Sequence, residues 1–341
     1  MWDRMLERVT PRDRLLAALV ATAWGVNFLA IDASLQHFPP LFLVALRFAV
    51  LAVPVVLLVP RPDVELRWLI GYGAGFGIAQ FVFLYAGMAA GMPAGLASLV
   101  LQASAPFTVV LAAALLRERL SGRQVAGILL AVAGLALVAW QRAQIAALLP
   151  VVLTLLGALG WAFGNLANRQ ARPSRPLHLA LWMSVVPPLP MLAIALAVEG
   201  PARIGTSLST AFTIDALPAM VGLAYTVLIG TVLGSGLWTA LMARYPSSTV
   251  APFSMLVPVV GMSTAAVVLH ERLHALELVG AAVVISGVLL GSSKSRTSRR
   301  VPDLLPEPAP EPAPDAGTDP RPDDDPGPAH EPSAPTTRLR S

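Results

Sequence analysis

Residues 15–292 form ten consecutive apolar blocks, each about long enough to cross a bilayer, with few polar residues between them. A hydrocarbon core about 30 Å thick takes roughly 20 residues as a helix. Within it, only helices and closed barrels satisfy their own backbone hydrogen bonds. The blocks predict helices over 15–33, 40–59, 67–88, 94–115, 123–141, 147–168, 177–198, 215–241, 247–269 and 276–292. The expected fold class is an all-α polytopic membrane protein with ten transmembrane helices. The first block follows Arg4, Arg8, Arg12 and Arg14 and contains Ala21-Thr22-Ala23, which resembles a signal-peptide cleavage site. That triplet lies inside the apolar run, which continues to Ile31, so the block reads as a spanning helix.

Orientation comes from the basic residues between the blocks, because cytoplasmic loops are enriched in Lys and Arg. On one side these segments carry 17 such residues and on the other 3, namely Arg142, Arg203 and Arg272. Both termini are therefore expected in the cytoplasm, which requires an even number of helices.

The two halves of the chain repeat each other. Glu118-Arg119-Leu120 is followed by Gly127 and Gly134, and Glu271-Arg272-Leu273 by Gly280 and Gly287, each shifted by 153 residues. Trp24-Gly25-Val26-Asn27 opens the first half, and Trp161-Ala162-Phe163-Gly164-Asn165 opens the second. Five helices per repeat is an odd number, so the second copy must enter the membrane from the opposite face. The expected organisation is a cytoplasmic segment 1–14, a five-helix repeat 15–141, its inverted copy 147–292 and a tail 293–341. Inverted repeats with the solute site at their interface are a transporter architecture.

Composition removes several other classes. Apolar residues make up 55% of the chain and charged residues 13%, with a mean hydropathy of +0.68. A soluble domain carries about 25% charge. The net charge of +4 belongs to loops and termini, so nucleic acid is not an expected partner. Cysteine is absent, which excludes disulfides, iron–sulfur clusters and thiolate zinc sites. The tail, with twelve prolines between 295 and 341, has no apolar face to bury and is expected to be disordered and cytoplasmic.

Polar residues within the blocks are the candidate solute contacts. A charged side chain at the bilayer centre costs about 2.5–3.5 kcal/mol on insertion scales, so it generally faces a partner or a wet cavity. Arg47, in the second block, could hold a substrate carboxylate, or could bond helix-end carbonyls or reach the outer interface. Trp24 with Asn27, and Trp161 with Asn165, place a ring beside an amide on one helix face. Gln80 and Gln102 add amides to the third and fourth helices. Each amide is either interhelical glue or a ligand contact; together, they suggest a polar central cavity. Gly71, Gly73, Gly75 and Gly77 permit close backbone approach near Gln80. Pro106 and Pro258 sit at similar places in their blocks and kink them, either as pivots or as fixed packing. Glu118 and Glu271 are expected to cap or brace helix ends.

No catalytic constellation stands out. His37, His178, His270, His274 and His330 are dispersed, and a phosphate-binding loop ending in Lys-Ser/Thr is lacking. No metal site, catalytic residue or cofactor is expected. The expected partners are a small-molecule substrate and the lipid bilayer, with a homodimer left open. An intramembrane enzyme and a small channel remain as remote alternatives.

Several stretches resemble the EamA family of the drug/metabolite transporter superfamily. They are Trp24-Gly25-Val26-Asn27-Phe28, Leu46-Arg47-Phe48 and the paired Glu-Arg-Leu loops with their downstream glycines; the resemblance covers 12–292. Within that family, Pro39-Pro40-Leu41, Gly91 to Ala103 and Leu256-Val257-Pro258-Val259-Val260-Gly261 resemble the O-acetylserine/cysteine exporter branch. The resemblance implies ten helices, an inverted repeat, a central cavity, and export of small amino-acid metabolites across the bacterial cytoplasmic membrane. The alternative is export of larger or aromatic compounds. Ser104-Ala105-Pro106 and Phe163 depart from the branch pattern, and both are candidates for the cavity wall.

Overall fold

The computed structural model describes residues 10–145, 148–245 and 250–292; the expected disorder of the tail lies outside them. Every regular element among the described residues is helical. Eight helices are long and apolar enough to cross a membrane: α1 (Pro11–Leu35), α2 (Pro40–Leu58), α3 (Leu66–Ala89), α4 (Ala94–Leu116), α5 (Gly122–Ile145), α6 (Leu149–Ala171), α7 (Pro176–Val198) and α9 (Ile214–Met242). The short α8 (Pro201–Ser209), absent from the sequence-based expectation, stands between α7 and α9. Two shorter apolar helices close the described chain, α10 (Pro252–Val268) and α11 (Ala275–Gly291).

Local chemistry sets these boundaries. Thr10 caps α1 by accepting the Asp13 N–H at 3.2 Å, with Pro11 in the first turn. Pro40, Pro150, Pro176 and Pro201 likewise open α2, α6, α7 and α8, where a missing N–H costs nothing. Arg117 and His270, 153 residues apart, both end their helices with φ of 55°. A helix terminus commonly ends in this left-handed conformation.

The helices bury their inward faces and leave aliphatic side chains outside. Tyr85, Phe38, Phe48, Ile31, Leu43, Leu84, Leu96 and Leu99 are fully buried, whereas Val53, Leu57, Leu58, Leu129 and Val221 are exposed. Such a pattern suits a lipid surround, in which apolar residues are stable on both faces of a helix.

Close packing then depends on small residues. A Cβ on Gly75 would lie 2.5 Å from the backbone nitrogen of Gly164, so only glycine lets α3 and α6 meet there. On α5, Gly127 abuts Gly287 and Gly291, and Gly134 abuts Gly280 and Val284. As α5 ascends in number its partners on α11 descend, so the two helices are antiparallel. The register centres on Ala131 and Val284, which are 153 residues apart.

Two long helices contain π-helical stretches, Gly73–Ala79 in α3 and Thr226–Leu233 in α9. Their first residues are again 153 apart. An isolated π turn inside an α-helix frees backbone groups and often marks a functional position. Neither stretch is legible as such in the apolar pattern.

Candidate functional site

The π stretch of α9 gathers the first group of polar residues. The indole Nε1 of Trp24 donates to Gly230 O at 2.8 Å, satisfying a carbonyl within the disrupted ladder. The Trp24 ring also meets Trp238 at a centroid distance of 5.1 Å. Asn27, one turn along α1, lies against the same segment: a Cβ on Gly230 would come within 2.8 Å of Asn27 Oδ1. That oxygen is buried and accepts no hydrogen bond.

Arg47 reaches this segment from α2 and is buried, with 6% of its surface exposed. Its Nη1 donates to Tyr85 Oη and its Nη2 to Thr231 Oγ1, both at 2.9 Å. The Thr231 hydroxyl passes a bond on to Thr226 O at 2.8 Å, across five residues of the π turn. The guanidinium also lies over the Phe81 ring, 4.0 Å from its centroid, and near Phe48 at 5.3 Å. Among the described residues no carboxylate pairs with it. Its Nε is buried without a partner. Arg47 therefore neither bonds helix-end carbonyls nor extends to the interface; it is an uncompensated cation inside the bundle, held by two hydroxyls and an aromatic face.

From Arg47 an aromatic chain leads to the second group. Phe81 meets Phe76 at 6.0 Å, and Phe76 meets Trp161 edge-on at 5.8 Å. Gln80, next to Phe81, is buried with Oε1 unpartnered. Asn165 donates to Thr108 Oγ1 on α4 at 3.2 Å, so part of its amide ties two helices together. Gln102 on α4 is buried and directs Nε2 at Met255 Sδ at 3.7 Å, a weak contact.

Trp24, Asn27 and Arg47 thus converge on the α9 π stretch. Gln80 and Trp161 join them through Phe81 and Phe76, while Asn165 and Gln102 face other helices. Tyr85, Thr231, Thr226 and Phe81 escaped the sequence reading because single hydroxyls and phenyl rings are ordinary in apolar helices. The repeat offered one signal: Tyr85 aligns with Trp238, itself in tilted ring contact with Trp24. Phe163 requires a correction. It is 45% exposed and points out of the bundle, because residues two apart on a helix face different ways. Ser104 and Pro106 are buried.

The N-termini of α2 and α4 are each capped by a carboxylate from the other half of the chain. Glu271 accepts from the Ala94 and Gly95 N–H groups at 2.7 and 3.1 Å. Glu199 accepts from those of Leu41 and Phe42 at 2.7 and 2.8 Å. Carboxylates at helix N-termini satisfy donors that Pro93 and Pro39 cannot serve with a side chain. Glu118, the repeat counterpart of Glu271, instead pairs with Arg169.

Apolar helices of this length, packed through small residues and exposed on their outer faces, define a multi-pass membrane protein. The sequence pattern of the EamA-like transporter family matches twice, over residues 14–140 and 148–293, and the chain belongs to that family. A probable amino-acid metabolite efflux pump of Salmonella typhimurium is 42% identical over 297 residues, covering 84% of this chain and 98% of that protein. A protein of the same description from Escherichia coli K12 is 41% identical over 285 residues, covering 82% and 94%. A probable terminal-alkyne amino-acid exporter of Streptantibioticus cattleyicolor is 27% identical over 292 residues, covering 83% and 94%. A solved crystal structure shares the fold with a TM-score of 0.54 at 18% identity, covering 83% of this chain and 96% of that one. These relationships and the apolar helices place the protein in the bacterial cytoplasmic membrane as a multi-pass transport protein.

Proposed function

We propose that this protein is a secondary transporter, not an enzyme, that exports small zwitterionic amino-acid metabolites of the cysteine and O-acetylserine kind. The observation that carries the reading is Arg47, a buried guanidinium without a carboxylate partner among the described residues. A cation in such a place is stabilised by an anion that arrives with the solute. Its unpartnered Nε is a donor for a substrate carboxylate. The unpartnered carbonyl oxygens of Asn27, which lies against Gly230, and of Gln80, next in the chain to Phe81, are acceptors for the ammonium group. Trp24 and Trp161 wall the site in this reading, while Gln102 and Asn165, expected from the sequence to touch the solute, tie helices together instead. The names of the two relatives above 40% identity support an amino-acid metabolite as the cargo.

All ten apolar helices span the membrane in this reading, as two inverted repeats, 15–141 and 147–292, with both termini cytoplasmic. The antiparallel crossing of α5 and α11 supports the inversion. The repeats rock about their common axis to expose the site alternately to each side. Uptake of labelled cysteine and O-acetylserine into proteoliposomes preloaded with the unlabelled compound tests the proposal. Saturable counterflow, lost in Arg47→Ala, is expected. Counterflow of larger or aromatic amino acids alone would transfer the reading to that substrate class, and its absence for every amino acid would overturn it. Cysteine labelling that places the Glu118 and Glu271 loops on one side of the membrane would overturn the inversion.

A further inference from the structure

Cβ atoms on Gly71, Gly75 and Gly87 would meet Ala167, Gly164 and Thr154 in turn, so α3 and α6 are antiparallel. The start of α3 therefore lies beside the end of α6, where two apolar spanning helices terminate. A cavity of about 470 Å³, open to the surface, forms there. It is lined by the α2–α3 connection from Asp63, the first turn of α3 through Trp68, and the end of α6 from Gln170 to Arg172. Small-molecule sites occupy roughly 300–1,000 Å³, so the space suits a compact ligand.

The lining carries charges of both signs, and only two of them are matched. Glu65 and Arg67 pair with each other at 2.8 Å. Among the described residues, Asp63 and Arg172 make no ion pair or side-chain hydrogen bond. The Trp68 indole N–H is likewise without an acceptor, whereas those of Trp24 and Trp182 reach backbone carbonyls at 2.8 and 3.0 Å. The helix ends add partial charges of the same two kinds, N–H groups from α3 and carbonyls from α6. Glu65, at the N-cap of α3, does not occupy those donors with its side chain. A simple anion would meet Asp63 and Glu65 here, and a simple cation would meet Arg67 and Arg172. A zwitterion suits both.

Leu66 and Ile70 identify the source of that zwitterion. One turn apart on α3, they are exposed beside the cavity and belong to the aliphatic outer surface. A soluble zwitterion leaves them uncovered, whereas the acyl chains of a phospholipid lie over them. Single exposed ion contacts contribute little, but a bilayer presents its headgroups at high effective concentration. An indole at a helix end is also a common anchor at the headgroup level.

We infer that this cavity holds the headgroup of a phosphatidylethanolamine-type lipid. Asp63 and the α6 terminus take the ammonium, Arg172 and the Trp68 N–H take the phosphate, and the chains run along Leu66 and Ile70. A primary ammonium has three N–H donors. The trimethylated group of phosphatidylcholine has none, so the site distinguishes two lipids of equal net charge. Nothing in this inference rests on the transport reading.

Native mass spectrometry of the purified full-length protein in detergent, offered equal amounts of phosphatidylethanolamine, phosphatidylcholine and phosphatidylglycerol, tests it. The wild type is expected to retain the ethanolamine lipid roughly 3- to 10-fold more than either other, the range of one modest hydrogen bond. Asp63→Asn should reduce it to the level of phosphatidylcholine. Arg172→Asn, which tolerates the left-handed backbone at φ of 44°, should lower retention of all three. Asp215→Asn, at an exposed carboxylate in the first turn of α9, should keep the wild-type preference. Free phosphoethanolamine at the lipid's concentration is not expected to compete. Equal retention of the ethanolamine and choline lipids by the wild type, an undiminished preference in Asp63→Asn, or displacement by free phosphoethanolamine would overturn the assignment.

Discussion

Gln102 Nε2 points at Met255 Sδ at 3.7 Å, and the two residues are separated by the 153-residue spacing that relates the repeats. A residue that touches its own counterpart lies at a twofold axis, since symmetry makes such a contact with itself. Ala131 and Val284 at the α5–α11 crossing mark the same axis elsewhere in the bundle. Under the alternating-access proposal, residues on the axis stay neighbours while residues away from it separate.

That difference is measurable because the chain contains no cysteine. Paired cysteines replacing Gln102 and Met255 are expected to be bridged by a short bifunctional reagent both with and without substrate. Paired cysteines replacing Ala94 and Glu271, where Glu271 caps α4, should be bridged less with substrate or a gradient, if the proposed rocking separates them. Mass shift on denaturing gels after cleavage between the repeats reports each. Equal substrate sensitivity in both pairs would remove the axis assignment.

Arg47 supplies the next test. Loss of a hydrogen bond to a charged group costs about 1.5–3 kcal/mol, or roughly 10- to 150-fold in affinity. Arg47→Ala is expected to weaken substrate binding by that order, measured by equilibrium binding in detergent. Arg47→Lys keeps the charge but cannot reach Tyr85 and Thr231 together, since its ammonium is a point donor and not a planar fork. It should recover only part of the affinity. Tyr85→Phe should fall between wild type and Arg47→Lys.

The apolar blocks made the helices legible because bilayer thickness imposes their length, and the 153-residue shift made the repeat legible because glycines and loop charges keep their spacing. Arg47, Asn27 and Gln80 stood out because polar groups are rare in such blocks. The partners of Arg47 did not, since Tyr85 and Thr231 become significant only once α2, α3 and α9 are packed. The π stretches were hidden for a related reason: helix register at Gly73–Ala79 and Thr226–Leu233 depends on carbonyls that neighbours such as Trp24 satisfy. Phe163, a cavity-wall candidate because it departs from the branch pattern, points outward because alternate residues on a helix face different ways.

The α5–α11 crossing predicts a steep dependence on side-chain size. A Cβ on Gly127 would stand 2.5 Å from Gly291 N, and one on Gly287 would stand 2.5 Å from Ala131 N. Overpacking typically costs about 1–3 kcal/mol, and here the obstacle is backbone that cannot rotate aside. Gly127→Leu and Gly287→Leu are each expected to lower the unfolding midpoint in detergent and the yield of monodisperse protein. Phe163→Ala, at an exposed position, should leave both unchanged.

The last prediction concerns the two carboxylates that cap α2 and α4, and the proposal that they hold that face shut. Glu199 and Glu271 each accept two backbone N–H groups at the start of a helix from the other repeat. An ionised acceptor there gains both hydrogen bonding and the favourable field of the helix terminus. Replacing it with a shorter apolar group leaves donors that water must satisfy, which requires the face to loosen. Caps of this kind contribute about 0.5–2 kcal/mol, enough to shift a two-state equilibrium by roughly 2- to 30-fold. Glu199→Ala and Glu271→Ala are therefore expected to raise the labelling rate of a cysteine placed at Leu96 by a membrane-impermeant thiol reagent, with the double variant labelled fastest. Labelling unchanged in all three would show that these contacts do not hold the face shut.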